Sequence, residues 1–122
     1  MSTFISYSSY ERAVVKLIRK LKETVLTNRV LDELTNNNQQ IGYKRLKELY
    51  RCNPIYFCKF MVIYQQVKCS DISINIEPGH IVYLNKTRSP HDVIEFMNKY
   101  EHGFNENCEV MKKANSNIIY FI

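Results

Sequence analysis

The stretch Asn53–Val67, NPIYFCKFMVIYQQV, decides the architecture of this 122-residue chain, because it holds the longest strongly apolar run and its period does not declare itself. Asn53 as N-cap and Pro54 at the first helical position suit the start of a helix. Ile55, Tyr56, Phe57, Val62 and Ile63 are β-favouring types, and a run buried on both faces equally suits a central strand. A continuous apolar run cannot be settled by periodicity, so helix and strand both stay open for 55–67. As a helix it is apolar nearly all round and has to be enclosed, which is hard in a small domain, so part of it could face a partner. The plainer reading is that it forms the core together with the C-terminal run Ile118–Ile122. Broken by Lys59, Ile55–Tyr64 is far too short to span a bilayer.

Moving upstream, the residue before Pro54 is steered out of the helical region, so a helix over Tyr43–Arg51 stops at Asn53. It places Leu46, Leu49 and Tyr50 on one face and Lys44, Arg45, Lys47 and Arg51 elsewhere. Thr35–Gln40 (TNNNQQ) is a polar loop, preceded by a short helical stretch through Val30, Leu31 and Leu34 after a break at Thr27-Asn28. The clearest amphipathic helix runs from about Ser9 to Leu26, opened by a capping-box pattern of Ser8 and Glu11. At about 100° per residue, Val14, Leu17, Ile18, Leu21 and Val25 gather on one side, opposite Arg12, Lys16, Arg19, Lys20 and Glu23.

Downstream, Ile72, Ile74 and Ile76 alternate with Ser73, Asn75 and Glu77 as a half-buried strand. Pro78-Gly79 suits a type II turn, and His80–Leu84 returns as a second strand. Ser89, Pro90 and Asp92 open another helix with Val93, Ile94, Met97 and Tyr100 inside and Gly103 at its end. Ile118–Ile122 reads as a strand, since an exposed apolar end invites aggregation. The expectation is one α+β domain over residues 1–122. It has two or three N-terminal helices with basic outer faces, a β-hairpin, a further helix and a C-terminal strand.

Charge is unevenly spread along this order. Residues 1–68 carry twelve Lys and Arg against five Asp and Glu (+7), residues 69–122 carry five against seven (−2), and the two sum to +5. Such a gradient points to a partner-facing surface, either a polyanion or an acidic protein. Met1–Glu11 is polar and shows no signal peptide, so an intracellular protein of cytoplasm or nucleus, without a membrane partner, is expected. Cys52, Cys58, Cys69 and Cys108 are then expected to be reduced, and the sequon Asn85-Lys86-Thr87 is irrelevant inside a cell. The abundance of Asn, Ile, Lys and Tyr is typical of AT-rich coding sequence, as in many large DNA viruses and low-GC bacteria.

Candidate nucleic-acid-binding residues are Arg12, Lys16, Arg19, Lys20, Lys44, Arg45, Lys47 and Arg51. They would neutralise phosphates if the two basic helices lie side by side, giving salt-dependent and mostly sequence-independent affinity. Tyr10, Tyr43 and Tyr50 would add base stacking if exposed, favouring single strands or RNA; the plainer reading buries Tyr43 and Tyr50 in the core. The order helix, helix, ambiguous segment, strand pair outlines a winged helix-turn-helix. A recognition helix needs polar side chains, however, and Pro54–Tyr64 offers only Lys59, while the wing would carry Glu77 and His80. Sequence-specific major-groove reading is not expected.

Cys52, Cys58, Cys69 and His80 are zinc-ligand types, but spacings of six, eleven and eleven lack the short knuckles of zinc sites, and buried thiols explain them as well. No nucleophile elbow, phosphate loop or His-Glu zinc helix is present, and the three glycines, Gly42, Gly79 and Gly103, give a phosphate loop little to be built from. His91 and His102 sit at ordinary surface or capping positions. Neither catalytic residues nor a metal nor a cofactor is expected. Two functions follow from the residues: a small non-enzymatic, basic nucleic-acid-binding or regulatory protein, contacting DNA or RNA phosphates through its N-terminal helices; or a protein–protein assembly module whose basic half meets an acidic protein and whose segment 54–67 mediates homo-oligomerisation. Under the second, Phe60→Asp would change the assembly mass without unfolding the chain.

Overall fold

Residues Pro54–Cys69 form a helix, which settles the ambiguous stretch. The computed structural model describes residues 2–36, 42–77, 80–86, 92, 93, 95, 97 and 118–120. Its elements are β1 (Ser2–Ile5), α1 (Tyr7–Lys22), α2 (Asn28–Thr35), α3 (Tyr43–Cys52), α4 (Pro54–Cys69), β2 (Asp71–Glu77), β3 (His80–Leu84) and β4 (Ile118–Tyr120). The architecture is α+β, as the residue patterns predict.

Capping and enclosure decide α4. The Asn53 side chain accepts the Tyr56 N–H at 3.0 Å, and Pro54 occupies the first turn, where its missing N–H does no harm. Helices α1, α2 and α3 and strand β2 all pack on α4. Nine of its side chains are buried: Tyr56, Phe57, Cys58, Phe60, Met61, Val62, Ile63, Tyr64 and Val67. Each of the buried Phe, Met, Val and Ile side chains contributes on the order of 1.5–3 kcal/mol relative to exposure, so a helix that looks too apolar for a small domain becomes its axis. Most of segment 54–67 is therefore at the centre of the core, with Phe60 fully buried in it and Ile55 left 56% exposed.

Helix α1 begins two residues earlier and ends sooner than the expected span from about Ser9 to Leu26. Ser6, not Ser8, is the N-cap, accepting the Ser9 N–H at 3.2 Å. Tyr10, left out of the expected apolar side, lines up with Val14, Leu17 and Leu21 as the buried stripe. At the other end the Glu23 and Thr24 N–H groups bond back to the carbonyls of Lys20 and Leu21, and the Thr24 hydroxyl also donates to the Lys20 carbonyl at 2.9 Å. Thr27 must then be extended to cap α2 through Val30 N–H, which leaves Val25 outside the helix and 80% exposed. Thr35, expected in a loop, is the buried last residue of α2; its hydroxyl donates to the Leu31 carbonyl, and Asn36 closes the helix in the left-handed region (φ 54°).

A mixed sheet of order β1-β2-β3-β4 backs the helices. β1 and β2 are parallel, joined through α1–α4; β2 and β3 form the expected antiparallel hairpin; β3 and β4 are parallel. Ile72 pairs with Leu84 and Ile74 with Val82, so period-2 alternation puts these four and Ile76 on the buried face, with Ile5 packed beside them. β1 is not evident in the sequence, where Thr3-Phe4-Ile5 is only three β-favouring residues in a polar terminus. Asp71 ties the hairpin's open end, accepting the Lys86 N–H at 2.8 Å and the Tyr83 hydroxyl at 3.2 Å. The Lys86 bond foremost, with that of Tyr83, holds the Asp71 carboxyl below its ordinary range.

Asp92, Val93, Glu95 and Met97 are helical, with Val93 and Met97 in the core. The Pro78-Gly79 turn, Tyr100, His91, His102, Gly103, Cys108 and most of the loop 35–40 lie outside the described residues.

Candidate nucleic-acid interface

The candidate interface begins with α1, whose buried stripe fixes where its charges go. With Tyr10, Val14, Leu17 and Leu21 against the core, Arg12, Lys16 and Arg19 fall within an arc of about 60° on the far side, spread over about 10 Å of axis. All three are exposed, as is Lys20 on the flank. They border two depressions. One, of about 620 Å³, runs along the outer face and is lined by Tyr7, Ser8, Arg12, Val15, Lys16 and Arg19, with Glu11 at its edge. The other, of about 230 Å³, lies between α1, α2 and α4; Lys16 and Lys20 form one lip and Gln65 and Gln66 the other. Lys16 belongs to both, standing on the ridge between them.

Helix α3 supplies the second group. Lys44, Lys47 and Arg51 share an arc of about 60°, while Arg45 points to one side with Glu48 between it and Lys44. All four cations are exposed. α1 and α3 each pack principally on α4, and they meet where the Tyr50 hydroxyl donates to the Leu21 carbonyl at 3.2 Å. The two basic groups thus project from helices joined at their C-terminal ends. On the surface of α2, Arg29 pairs with Glu33 at 3.9 Å, whereas none of the eight candidate cations is matched by a carboxylate among the described residues. Arg12 does engage its own helix, its Nε donating to the Ser8 carbonyl at 3.4 Å.

The tyrosines are not stacking surfaces. Tyr10 is buried. Tyr43 and Tyr50 are half-buried against the core; the Tyr43 hydroxyl donates to the Asp32 carboxylate of α2, and the Tyr50 ring meets Phe57 edge-on at 5.3 Å. They brace α3 against its neighbours, in line with the plainer reading, and the preference for single strands or RNA loses that support. Sequence-specific groove reading also loses its helix: in the recognition position α4 buries nine of its sixteen side chains, and Lys59 is half-buried.

The cysteines are dispersed. Cys58 is fully buried, and burial pushes its thiol up to about 11. Cys52 and Cys69 are exposed at the ends of α3 and α4, and Cys69 stands about 16 Å along the axis from Cys58. No three His, Cys, Asp or Glu side chains converge on a common point among the described residues. Nor is any helix among them long and apolar enough to cross a membrane.

Gln65 and Gln66 escaped the sequence reading. The available signal was two adjacent amides ending an apolar run: in a helix otherwise buried, such a pair marks where the enclosure opens. No protein-family model, curated protein or solved structure matches the chain.

Proposed function

We propose that the protein is a small, non-enzymatic nucleic-acid-binding protein that grips the phosphate backbone through α1 and α3. The observation that carries this reading is the set of eight exposed cations on those two helices, with the α1 group on a face that takes no part in the core. Long, solvated Lys and Arg side chains on a rigid helix neutralise phosphates without reading bases, and counterion release makes the affinity fall steeply with salt. α1 is the stronger half, because Glu48 sits inside the α3 group. The assembly reading is weaker, since the segment it relied on is the core; the exposed apolar side chains Phe4, Val15, Val25 and Ile55 belong to separate elements or loops.

The test is an anisotropy titration of labelled single- and double-stranded DNA and RNA over a range of salt. Replacing Arg12, Lys16 and Arg19 together by Glu should abolish binding at moderate salt. The milder Ala variant should lower the salt slope by about three, one for each phosphate that is no longer neutralised. Glu at Lys44, Arg45 and Lys47 should weaken binding less. Wild-type protein that binds none of the four at low salt, or an α1 triple-Glu variant that binds as tightly as wild type, refutes the proposal.

A further inference from the structure

We infer that the cleft between α1, α2 and α4 receives one unstacked nucleotide of a single strand, with its phosphates on Lys16 and Lys20 and its base against the apolar floor. This deepens the nucleic-acid reading and rests on it. Three features of the cleft fit a nucleotide. Its floor is built from buried aliphatic side chains, among them Leu17, Leu34 and Val62, which offer a base the dry contact it leaves when it unstacks. One lip carries two exposed lysines a helical turn apart and no lining residue is acidic, so the charge complements a phosphodiester. The opposite lip carries Gln65 and Gln66, whose amides each pair a donor with an acceptor, as the edge of a base does. Among the described residues neither amide is taken by a side-chain hydrogen bond.

Size narrows the occupant further. A depression of about 230 Å³ has room for a single nucleobase, whereas the paired bases of a duplex stay stacked in its interior, so a duplex would reach only the outer cations. The ridge position of Lys16 gives the strand a path: phosphates along Arg12, Lys16 and Arg19 on the outer face, then one nucleotide turned over the ridge into the cleft.

The deciding variant is Gln65→Ala with Gln66→Ala. It leaves every cation in place, and both positions sit in a helix that alanine favours. Circular dichroism confirms its fold. We expect single-strand affinity to drop about tenfold or more, with duplex affinity and both salt slopes unchanged. A 4-thiouridine-containing oligonucleotide should photocrosslink to the α4 peptide that contains Val62–Gln66. Uridine monophosphate separates a strand site from a free-nucleotide site: millimolar competition assigns the cleft to nucleotides in general, and its absence ties the cleft to a strand. Unchanged single-strand affinity in the double variant, or crosslinks confined to the outer faces of α1 and α3, overturns the cleft while salt-dependent binding still upholds the phosphate-contact reading. Complete absence of binding by wild-type protein overturns both.

Discussion

Helices α1 and α4 are each sixteen residues long and stand in opposite relations to solvent. α1 buries four positions at helical spacing and gives the rest to water, Arg12, Lys16, Arg19 and Lys20 among them. α4 buries nine, spread round most of its circumference, and carries only Lys59 and Lys68 as charged residues. Under the proposed function, the contrast separates stability from binding. Substitutions in α4 act on folding, because every neighbouring element leans on it. Substitutions on the outer face of α1 leave folding intact, because nothing in the core depends on them, and under the proposed function they act on binding.

The largest effect that can break this division is Phe60→Asp. Phe60 is fully buried and stacks on Tyr64 with ring centroids 5.6 Å apart. Truncating such a ring costs about 3–5 kcal/mol, and a buried unpaired carboxylate adds to that, against a total stability of about 5–15 kcal/mol for a domain. The variant should have no cooperative urea transition by circular dichroism. A folded protein of altered mass would restore the assembly reading. Next comes a pair within α1: Leu21→Ala should lose about 2–5 kcal/mol, and Val15→Ala, on the exposed side, no more than about 0.5 kcal/mol. Equal losses would mean that the outer face of α1 is covered.

The same contrast explains what could be read from the residues. α1, α3 and the β2–β3 hairpin are legible because half of each faces water, and the polar half reveals the period. α4 hides its period because its one open side, Ile55, Lys59 and Gln66, is narrow and begins with an apolar residue, so only Asn53 and Pro54 argue for a helix, and a strand remains equally compatible with the run. β1 is too short to show alternation, and its partner β2 lies almost seventy residues away. For the candidate site, the cations are visible as charge, but the position of Tyr43 and Tyr50 depends on Asp32 and the Leu21 carbonyl in other helices. The cleft is assembled from three helices, so no local pattern encodes it.

Cys58 tests how dry α4 is. Its thiol is pushed from an ordinary 9.0 to about 11 by burial, which holds the neutral form in the fold. A raised acid contributes its full stability below the unfolded value, so this contribution is complete below pH 9 and is lost as pH rises toward 11. Cys58→Ala should remove that part of the alkaline destabilisation. At neutral pH the shift alone makes the Cys58 thiolate about a hundredfold scarcer than an ordinary one. Labelling followed by peptide mapping should therefore modify Cys52 and Cys69 first and Cys58 only on unfolding. Comparable rates at all three would show that α4 is open to solvent.

The smallest effect sharpens the comparison most, because it sets two tyrosines of opposite condition against each other. Tyr50 commits its hydroxyl to the Leu21 carbonyl, bridging α3 to α1, so Tyr50→Phe should lower stability by about 0.5–1.5 kcal/mol. Tyr64 lies in α4 with Phe60 stacked on its ring and Lys68 Nζ 5.6 Å from its centroid. Its hydroxyl is buried with no hydrogen-bond partner among the described residues, and burial raises its pKa. An unpaired buried hydroxyl leaves its desolvation uncompensated, whereas the ring keeps its packing and its attraction for Lys68 without it. Tyr64→Phe should therefore leave stability unchanged or raise it by about 1 kcal/mol, read from the urea midpoint at constant m-value. A drop as large as that of Tyr50→Phe would mean that the hydroxyl is hydrogen-bonded, and that the interior of α4 is not uniformly dry.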